Sequence, residues 1–366
     1  MKQQEYFGFN SIENLKNILI KEKSKNILLV TGKKSFELSG AKNYLRSLLK
    51  DYNVYEFNDF KSNPDIDDIN KGCVFFNDKK IDIIIGVGGG SSIDVAKAIK
   101  LFYYNDSNKK IPLIAIPTTS GSGSEATYFI VYYDKKEKQS KGIPEVTLPD
   151  YTICDPQLTM SLPKKIAAST GMDAMTQAIE SYWSTNSTEE SKEFAKKAIF
   201  FLINNLENAV NNSSKESKEK VMKAANLAGK AINITKTTAC HSISYPLTSY
   251  FNIPHGHAAA LTLGEMLIYN FNVTEKDCLD KRGVKYVKKT INELIDLIRE
   301  NDSYKVKNKI QNLMENIGLE TRLSQLGLKE TDMDIIIQKG FNLQRVKSNP
   351  RLLNEENLKG ILKNIM

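Results

Sequence analysis

The chain has 366 residues, of which 41% are apolar, longer than one hydrophobic core ordinarily supports and apolar enough to bury two. Its 51 Lys and Arg against 43 Asp and Glu leave a formal charge of +8, but the lysines alternate with acidic residues and form no basic arm interleaved with aromatics, which argues against a nucleic-acid footprint and for small anionic ligands. Cys73, Cys154, Cys240 and Cys278 make no CxxC pair, no apolar run nears the ~20 residues of a membrane span, and MKQQEYFGF lacks a signal-peptide core, so a soluble, cytoplasmic protein with reduced thiols is expected.

In chain order, 26-NILLVTG-32 is a short apolar run ending in glycine, followed by helical spacing over 35–51 at Leu38, Ala41, Leu45, Leu48 and Leu49. Then come 53-NVYEF-57, a helical segment over 66–79, and the apolar run 81-IDIIIGVGG-89. This alternation of strand and helix predicts a parallel sheet with helical crossovers. Another strand-like run, 111-IPLIAIPTT-119, precedes glycine-rich and then charged sequence. From about Leu162 the pattern becomes amphipathic and helical: 163–183, 188–211, 216–232, 257–271, 283–300, 304–317 and 331–340. The run 211-NNSSKESKEK-220 reads as an exposed loop between helices. The expectation is an α/β domain over 1–160 and an all-helical domain over 161–366.

Two loops carry nucleotide chemistry. In 86-GVGGGSSIDVAKAIK-100 three glycines end a strand and open a helix, where backbone amides can approach a pyrophosphate; Asp94 and Lys97 lie on its first turns. The loop 116-IPTTSGSGSEAT-127 also follows a strand and offers Thr118, Thr119, Ser122 and Ser124. A tight turn that binds nothing is the plain alternative for the first loop alone, but two such loops at strand carboxyl ends are where an α/β sheet holds a nucleotide. Neither GxGxxG nor a Walker lysine is present, so the site differs from the ordinary Rossmann and P-loop types.

The chain's three histidines, His241, His255 and His257, are confined to 241–257. Asp173 and Gln177 are four apart in 170-TGMDAMTQAIESYW-183, on one helical face. With His241 and with His255, which sits in a Pro-Gly bracketed turn, they offer a carboxylate, an amide oxygen and two imidazoles, enough for a four-coordinate divalent ion. A solvated helix face is the alternative for the Asp–Gln pair alone.

TGMDAMTQAIE, GGGSSIDVAK, PTTSGSGSEAT and the PHG segment fourteen residues after a histidine resemble, in order and spacing, the iron-containing (group III) alcohol dehydrogenases over about residues 7–360. The resemblance implies a dinucleotide-binding domain, an all-helical domain, the dehydroquinate synthase-like architecture, and hydride transfer in a cleft between them. It places the pyrophosphate at Gly88, Gly89, Gly90, Ser91 and Asp94, the second nucleotide loop at Thr118, Thr119 and Ser122, and an Fe²⁺ or Zn²⁺ ion on Asp173, Gln177, His241 and His255. That ion would polarise an aldehyde for hydride from NAD(P)H. Gln177 stands where the family usually has histidine, and an amide oxygen is the poorer donor. Tyr245 stands where relatives commonly carry a relay histidine. It and His257 are the candidate proton donors, with a hydrogen-bonded helix-start histidine as the alternative for His257.

NAD-preferring relatives often have aspartate at the position of Gly32; with Gly32, Ser35, Lys33 and Lys34 the loop admits NADPH, or both cofactors, unless the lysines are ordinary surface charges. Before His241 stand Lys230, Lys236, Thr237 and Thr238 where relatives usually have small or apolar residues, a set suited to a tetrahedral anion, with Ser242, Ser244 and 349-NPR-351 as further donors. For Lys230 the alternative is a stem packed along its helix. The combination most resembles the phosphonoacetaldehyde reductase branch, which makes 2-hydroxyethylphosphonate. Other readings are an alcohol or sugar-acid dehydrogenase, a synthase or glycerol-1-phosphate dehydrogenase of the same architecture, and a binding module with a degraded metal site. A homodimer is expected.

Overall fold

The computed structural model describes residues 3–135, 137–341 and 343–366. One compact unit runs to Leu162 and a second from Pro163 to Met366. Among the described residues no helix is long and apolar enough to cross a membrane.

The first unit is built on six parallel strands: β1 (Gln4–Phe7), β2 (Asn26–Thr31), β3 (Asn53–Phe57), β4 (Ile83–Gly88), β5 (Leu113–Pro117) and β8 (Tyr151–Cys154), in the order β1-β8-β5-β4-β2-β3. Strands β6 (Ile130–Asp134) and β7 (Glu137–Lys141) pair antiparallel apart from it. The crossovers carry α1 (Asn14–Lys21), α2 (Ser35–Leu38), α3 (Ala41–Leu48), α4 (Ile66–Asn77), α5 (Gly90–Ser107) and α6 (Pro144–Thr147). Because a strand's side chains alternate, Ile27 and Leu29 of β2 enter one core with Leu15, Ile85 and Ile114, while Leu28 and Val30 enter the other with Phe57, Val95 and Ile99. Strand order reverses between β2 and β4, the crevice where an open sheet binds its ligand.

The second unit is all helical: α7 (Lys164–Trp183), α8 (Glu189–Asn211), α9 (Lys215–Thr235), α10 (Ala239–Phe251), α11 (His255–Leu261), α12 (Leu263–Phe271), α13 (Val284–Leu297), α14 (Ser303–Asn316), α15 (Met333–Lys339), α16 (Leu343–Val346) and α17 (Glu355–Asn364). From Gly171 to Trp183 helix α7 is buried on every side, so it is the central helix on which the others pack.

Several local expectations change. The helix over 35–51 is broken by Gly40, whose φ of 75° is the left-handed conformation that ends α2 and starts α3. The polar run 211–220 is mostly helix: α8 runs to Asn211, and the Ser214 hydroxyl accepts from the Ser217 amide to open α9. Pro254, His255 and Gly256 form no turn; they begin α11, with Pro254 as its N-cap. Strands β1 and β8, only four residues each, are too short to show periodicity by themselves.

Helix α5 is tied down by Lys97, which is fully buried, donates to Ser124 Oγ (2.8 Å) and the Phe129 carbonyl (2.9 Å), and faces Asp94 at 3.6 Å. Burial lowers the ammonium's pKa to about 8 against the opposing pull of Asp94, and burial likewise raises that of Asp94. Lys97→Met leaves the Asp94 carboxyl buried without its cation and is expected to destabilise the first unit by about 3 kcal/mol; Asp94→Asn added to it should restore part of the loss. Far-UV circular dichroism in urea would register the change, while fluorescence of the single Trp183, in the second unit, should stay unmoved. An unchanged first transition would refute it.

Candidate active site

The β2–β4 crevice is lined by loops from three strands. Gly88 has φ 146°, open to glycine alone, and a Cβ there would lie 2.5 Å from Ser92 Oγ; one at Gly90 would lie 2.9 Å from Ser122 Oγ. Gly89 N-caps α5 beside Thr119, and the Thr118 amide donates to the Gly88 carbonyl (2.9 Å), so the glycine loop and the loop after β5 are in contact. From β2, Gly32 brings Ser35 Oγ to 2.4 Å from where its own Cβ would stand and Ser92 Oγ to 3.4 Å. The Thr118 hydroxyl is buried with no hydrogen-bond partner among the described residues. Three successive glycines closely packed by hydroxyl side chains at the start of an eighteen-residue helix, with the unsatisfied Thr118 hydroxyl on the adjoining loop, fit a dinucleotide phosphate.

Two members of the expected set have other partners. Both Asp94 oxygens are engaged, one by Ser124 Oγ (2.5 Å) and one by the Val131 amide (3.1 Å), so Asp94 fixes the second loop from behind. Ser91 Oγ accepts from the Asn63 amide (3.1 Å). Lys33 pairs with Asp59 at 3.3 Å on the surface, which leaves Lys34 as the less committed charge of that loop.

In the second unit, single ligand atoms of Asp173, His241 and His255 lie within 4.8 Å of one another. Asp173 comes from α7, His241 from the first turn of α10 and His255 from the first residue of α11. What brings α11 so close to α7 is Gly256: a Cβ there would lie 2.1 Å from the Ser169 carbonyl oxygen and 2.6 Å from Asp173 Cβ. The donors are buried or half-buried, and one carboxylate with two imidazoles suits Fe²⁺ or Zn²⁺. Gln177 is buried one turn beyond Asp173 on the same face of α7.

Behind these donors lies a residue that the sequence reading passed over. Glu180 is fully buried; its Oε2 lies 2.5 Å from His241 Nδ1, and its Oε1 accepts from Thr238 Oγ1 (2.7 Å) and the Cys240 amide (2.7 Å). Trp183 Nε1 in turn donates to Thr238 Oγ1 (2.9 Å). Burial pushes the Glu180 carboxyl up, but the His241 charge and these hydrogen bonds outweigh it and hold the net value low. For His241 burial pulls downward, and Glu180 and Asp173 together raise the net value. The signal for Glu180 was its place seven residues after Asp173, two turns along the same face.

His257 is not brought to this cluster. Two residues beyond His255 on α11 it projects from another face, and its Nε2–H donates to the Glu320 carbonyl (2.6 Å), with burial lowering its pKa. This is the hydrogen bond of the helix-start alternative. Tyr245, one turn after His241, has its ring centroid 6.2 Å from that of His255.

Of the expected anion donors, Lys236 caps α9 at φ 61° and ψ 176°, a conformation essentially reserved for glycine, held by its amide to the Ile232 carbonyl (2.8 Å) and by its carbonyl accepting from Thr235 Oγ1 (2.7 Å). Thr237 accepts from Arg345 Nη1 (2.6 Å), a cation that the sequence reading did not weigh. Lys230 is turned to α8, its ammonium 5.9 Å from the Phe194 ring centroid, which favours helix packing. Ser242, Asn349 and Arg351 serve the fold: Ser242 Oγ donates to the Gly340 carbonyl, Asn349 pairs with Asn270, and Arg351 binds Asp277 and the Tyr269 carbonyl.

The family model for iron-containing alcohol dehydrogenases matches residues 3–156, and that for the C-terminal part of the Fe-containing alcohol dehydrogenase family matches 167–366. The NADPH-dependent butanol dehydrogenase of Clostridium saccharobutylicum is 29% identical over 97% of this chain and 94% of its own. The phosphonoacetaldehyde reductase of Streptomyces viridochromogenes is 30% identical over 59% of this chain and 60% of its own. The solved structure of sulfoacetaldehyde reductase from Bifidobacterium kashiwanohense in complex with NAD+ superposes with a TM-score of 0.87 at 28% identity, covering 99% of this chain and 96% of that one.

Gly256→Ala forces α11 away from α7 at the residue next to His255. Overpacking of this kind costs about 1–3 kcal/mol, and zinc affinity, read by competition with a chelator, is expected to fall about tenfold or more. Wild-type affinity would show that this approach does not set the donor cluster.

Proposed function

As the chain belongs to the iron-containing alcohol dehydrogenase family and is an NAD(P)-dependent, metal-using oxidoreductase, we propose that it reduces a small aldehyde bearing a tetrahedral anionic head, phosphonoacetaldehyde being the first candidate. The observation that carries this reading is the pairing of Arg345 with Thr237 next to Lys236, two cations at the entry to the helix that bears His241. An ammonium and a forked guanidinium give a phosphonate or sulfonate charge-assisted hydrogen bonds. Similarity to two reductases named for anionic two-carbon aldehydes supports it.

When bound, a divalent ion supplies Lewis-acid polarisation of the carbonyl and nicotinamide supplies hydride. Asp173, His241 and His255 would hold the ion, with Gln177 as the fourth donor; Gly88, Gly89, Gly90 and Ser91, with Thr118, Thr119 and Ser122, would hold the pyrophosphate. Gly32 and Ser35 shape the loop that admits NADPH or NAD. Tyr245, beside His255, delivers the proton that the product alcohol needs.

A second reading, reduction of a simple alkyl aldehyde, is favoured by the near full-length similarity to the butanol dehydrogenase. Competition assays with phosphonoacetaldehyde, sulfoacetaldehyde and butanal divide the two. Under the first reading Lys236→Ala and Arg345→Ala each lower kcat/KM for the anionic aldehydes about 10- to 100-fold, the loss of a charged hydrogen bond of about 1.5–3 kcal/mol, and leave butanal turnover unchanged. Equal wild-type rates on all three would refute it. Tyr245→Phe is expected to lower kcat about 100-fold with KM little altered; undiminished turnover would remove Tyr245 from the proton path.

A further inference from the structure

We propose that Glu180 and Ser244 are positioning residues that fix both metal-binding imidazoles as Nδ1–H tautomers, so that each presents Nε2 to the cation. The inference rests on the reading of Asp173, His241 and His255 as metal donors and goes beyond it by assigning the layer behind them.

The Glu180 carboxylate accepts only, so the His241 Nδ1 atom 2.5 Å from its Oε2 carries the proton, and Nε2, 3.2 Å from Asp173 Oδ1, is the nitrogen left for a cation. Glu180 cannot turn away, because its other oxygen is held by Thr238 Oγ1 and the Cys240 amide, and Thr238 is itself held by Trp183. Ser244 does the same for His255 by a different route. Its one hydroxyl proton goes to the His241 carbonyl (2.8 Å), so toward His255 Nδ1, 3.3 Å away, Ser244 Oγ can only accept. The two supports are linked through His241, whose ring rests on Glu180 and whose carbonyl orients Ser244. Such partners behind a metal-binding imidazole set its tautomer and raise its basicity.

Glu180→Gln is a sharper test than Glu180→Ala, because it keeps the length and shape of the side chain. Its carbonyl must stay with the two donors, Thr238 and the Cys240 amide, which turns its NH₂ group toward His241 Nδ1. Nδ1 then has to accept, and the ring proton moves to Nε2, the atom meant for the metal.

With only three histidines in the chain, ¹⁵N-histidine labelling and long-range ¹H–¹⁵N spectra of the zinc-loaded protein resolve each ring. In the wild type, His241 and His255 are expected to be protonated at Nδ1 and zinc-bound at Nε2, while His257, which donates from Nε2 to the Glu320 carbonyl, shows the opposite tautomer and serves as the folding control. Glu180→Gln should lower zinc affinity about 10- to 100-fold and remove the Nε2-bound signature of His241, with His257 unchanged. The milder Ser244→Ala should disturb His255 alone. Zinc ligation through Nδ1, or a Glu180→Gln protein with wild-type affinity and spectra, would overturn the proposal while leaving the metal reading intact. Failure of wild-type protein to take up zinc or Fe²⁺ at all would overturn both.

Discussion

The second unit is organised around the burial of two carboxyl groups on one face of α7. Asp173 and Glu180 lie inside a helical core where an unpaired charge costs several kcal/mol, and His241 stands between them, one ring nitrogen toward each. That sandwich requires α10 to begin where it does, with Thr238 and Cys240 presenting a hydroxyl and an amide to the inner carboxylate. The strained backbone of Lys236, one residue before Thr237, is the joint that turns the chain from α9 into this position. A site that concentrates charge and strain in this way is one whose geometry the rest of the unit holds in place.

Glycine plays the complementary part, by letting backbone come closer than a side chain allows. In the first unit Gly88 and Gly90 let the side chains of Ser92 and Ser122 pack against the backbone at the β2–β4 crevice, and the Thr118 amide bonds the glycine loop to its neighbour. In the second unit Gly256 lets α11 touch α7 at Asp173. In both units the space that a side chain would take is used by another part of the chain: Ser92 and Ser122 in one case, the backbone and Asp173 of α7 in the other. The apolar layers on both faces of the sheet and around α7 make these approaches rigid, since close-packed interiors do not deform smoothly.

Much of this was legible in the amino-acid order, and the reason is that local rules governed it. The alternation of β2, β3, β4 and β5 with helices, the change to helical periodicity after Leu162, and the glycines at the end of β4 are short-range patterns set by backbone sterics and side-chain period. The i, i+4 spacing of Asp173 and Gln177 is equally local. Helix ends were less visible: Gly40 broke an apparently continuous helix, and the polar residues after Ser214 proved helical because a serine cap outweighed their composition.

The sequence by itself determined the fold class and the family, because both are written in local periods and short contiguous motifs. Only the tertiary structure decided what holds each histidine in place. His255 and His257 are two residues apart in the chain, yet one faces His241 and Asp173 while the other is held by a carbonyl 63 residues away. It also decided that Asp94 is a latch for the second loop, that Arg351 is a strut, that Glu180 meets His241 and that Arg345 meets Thr237. These roles depend on contacts between residues far apart in the chain, and the packing of helices, which no local period encodes, is what brings them within hydrogen-bonding distance.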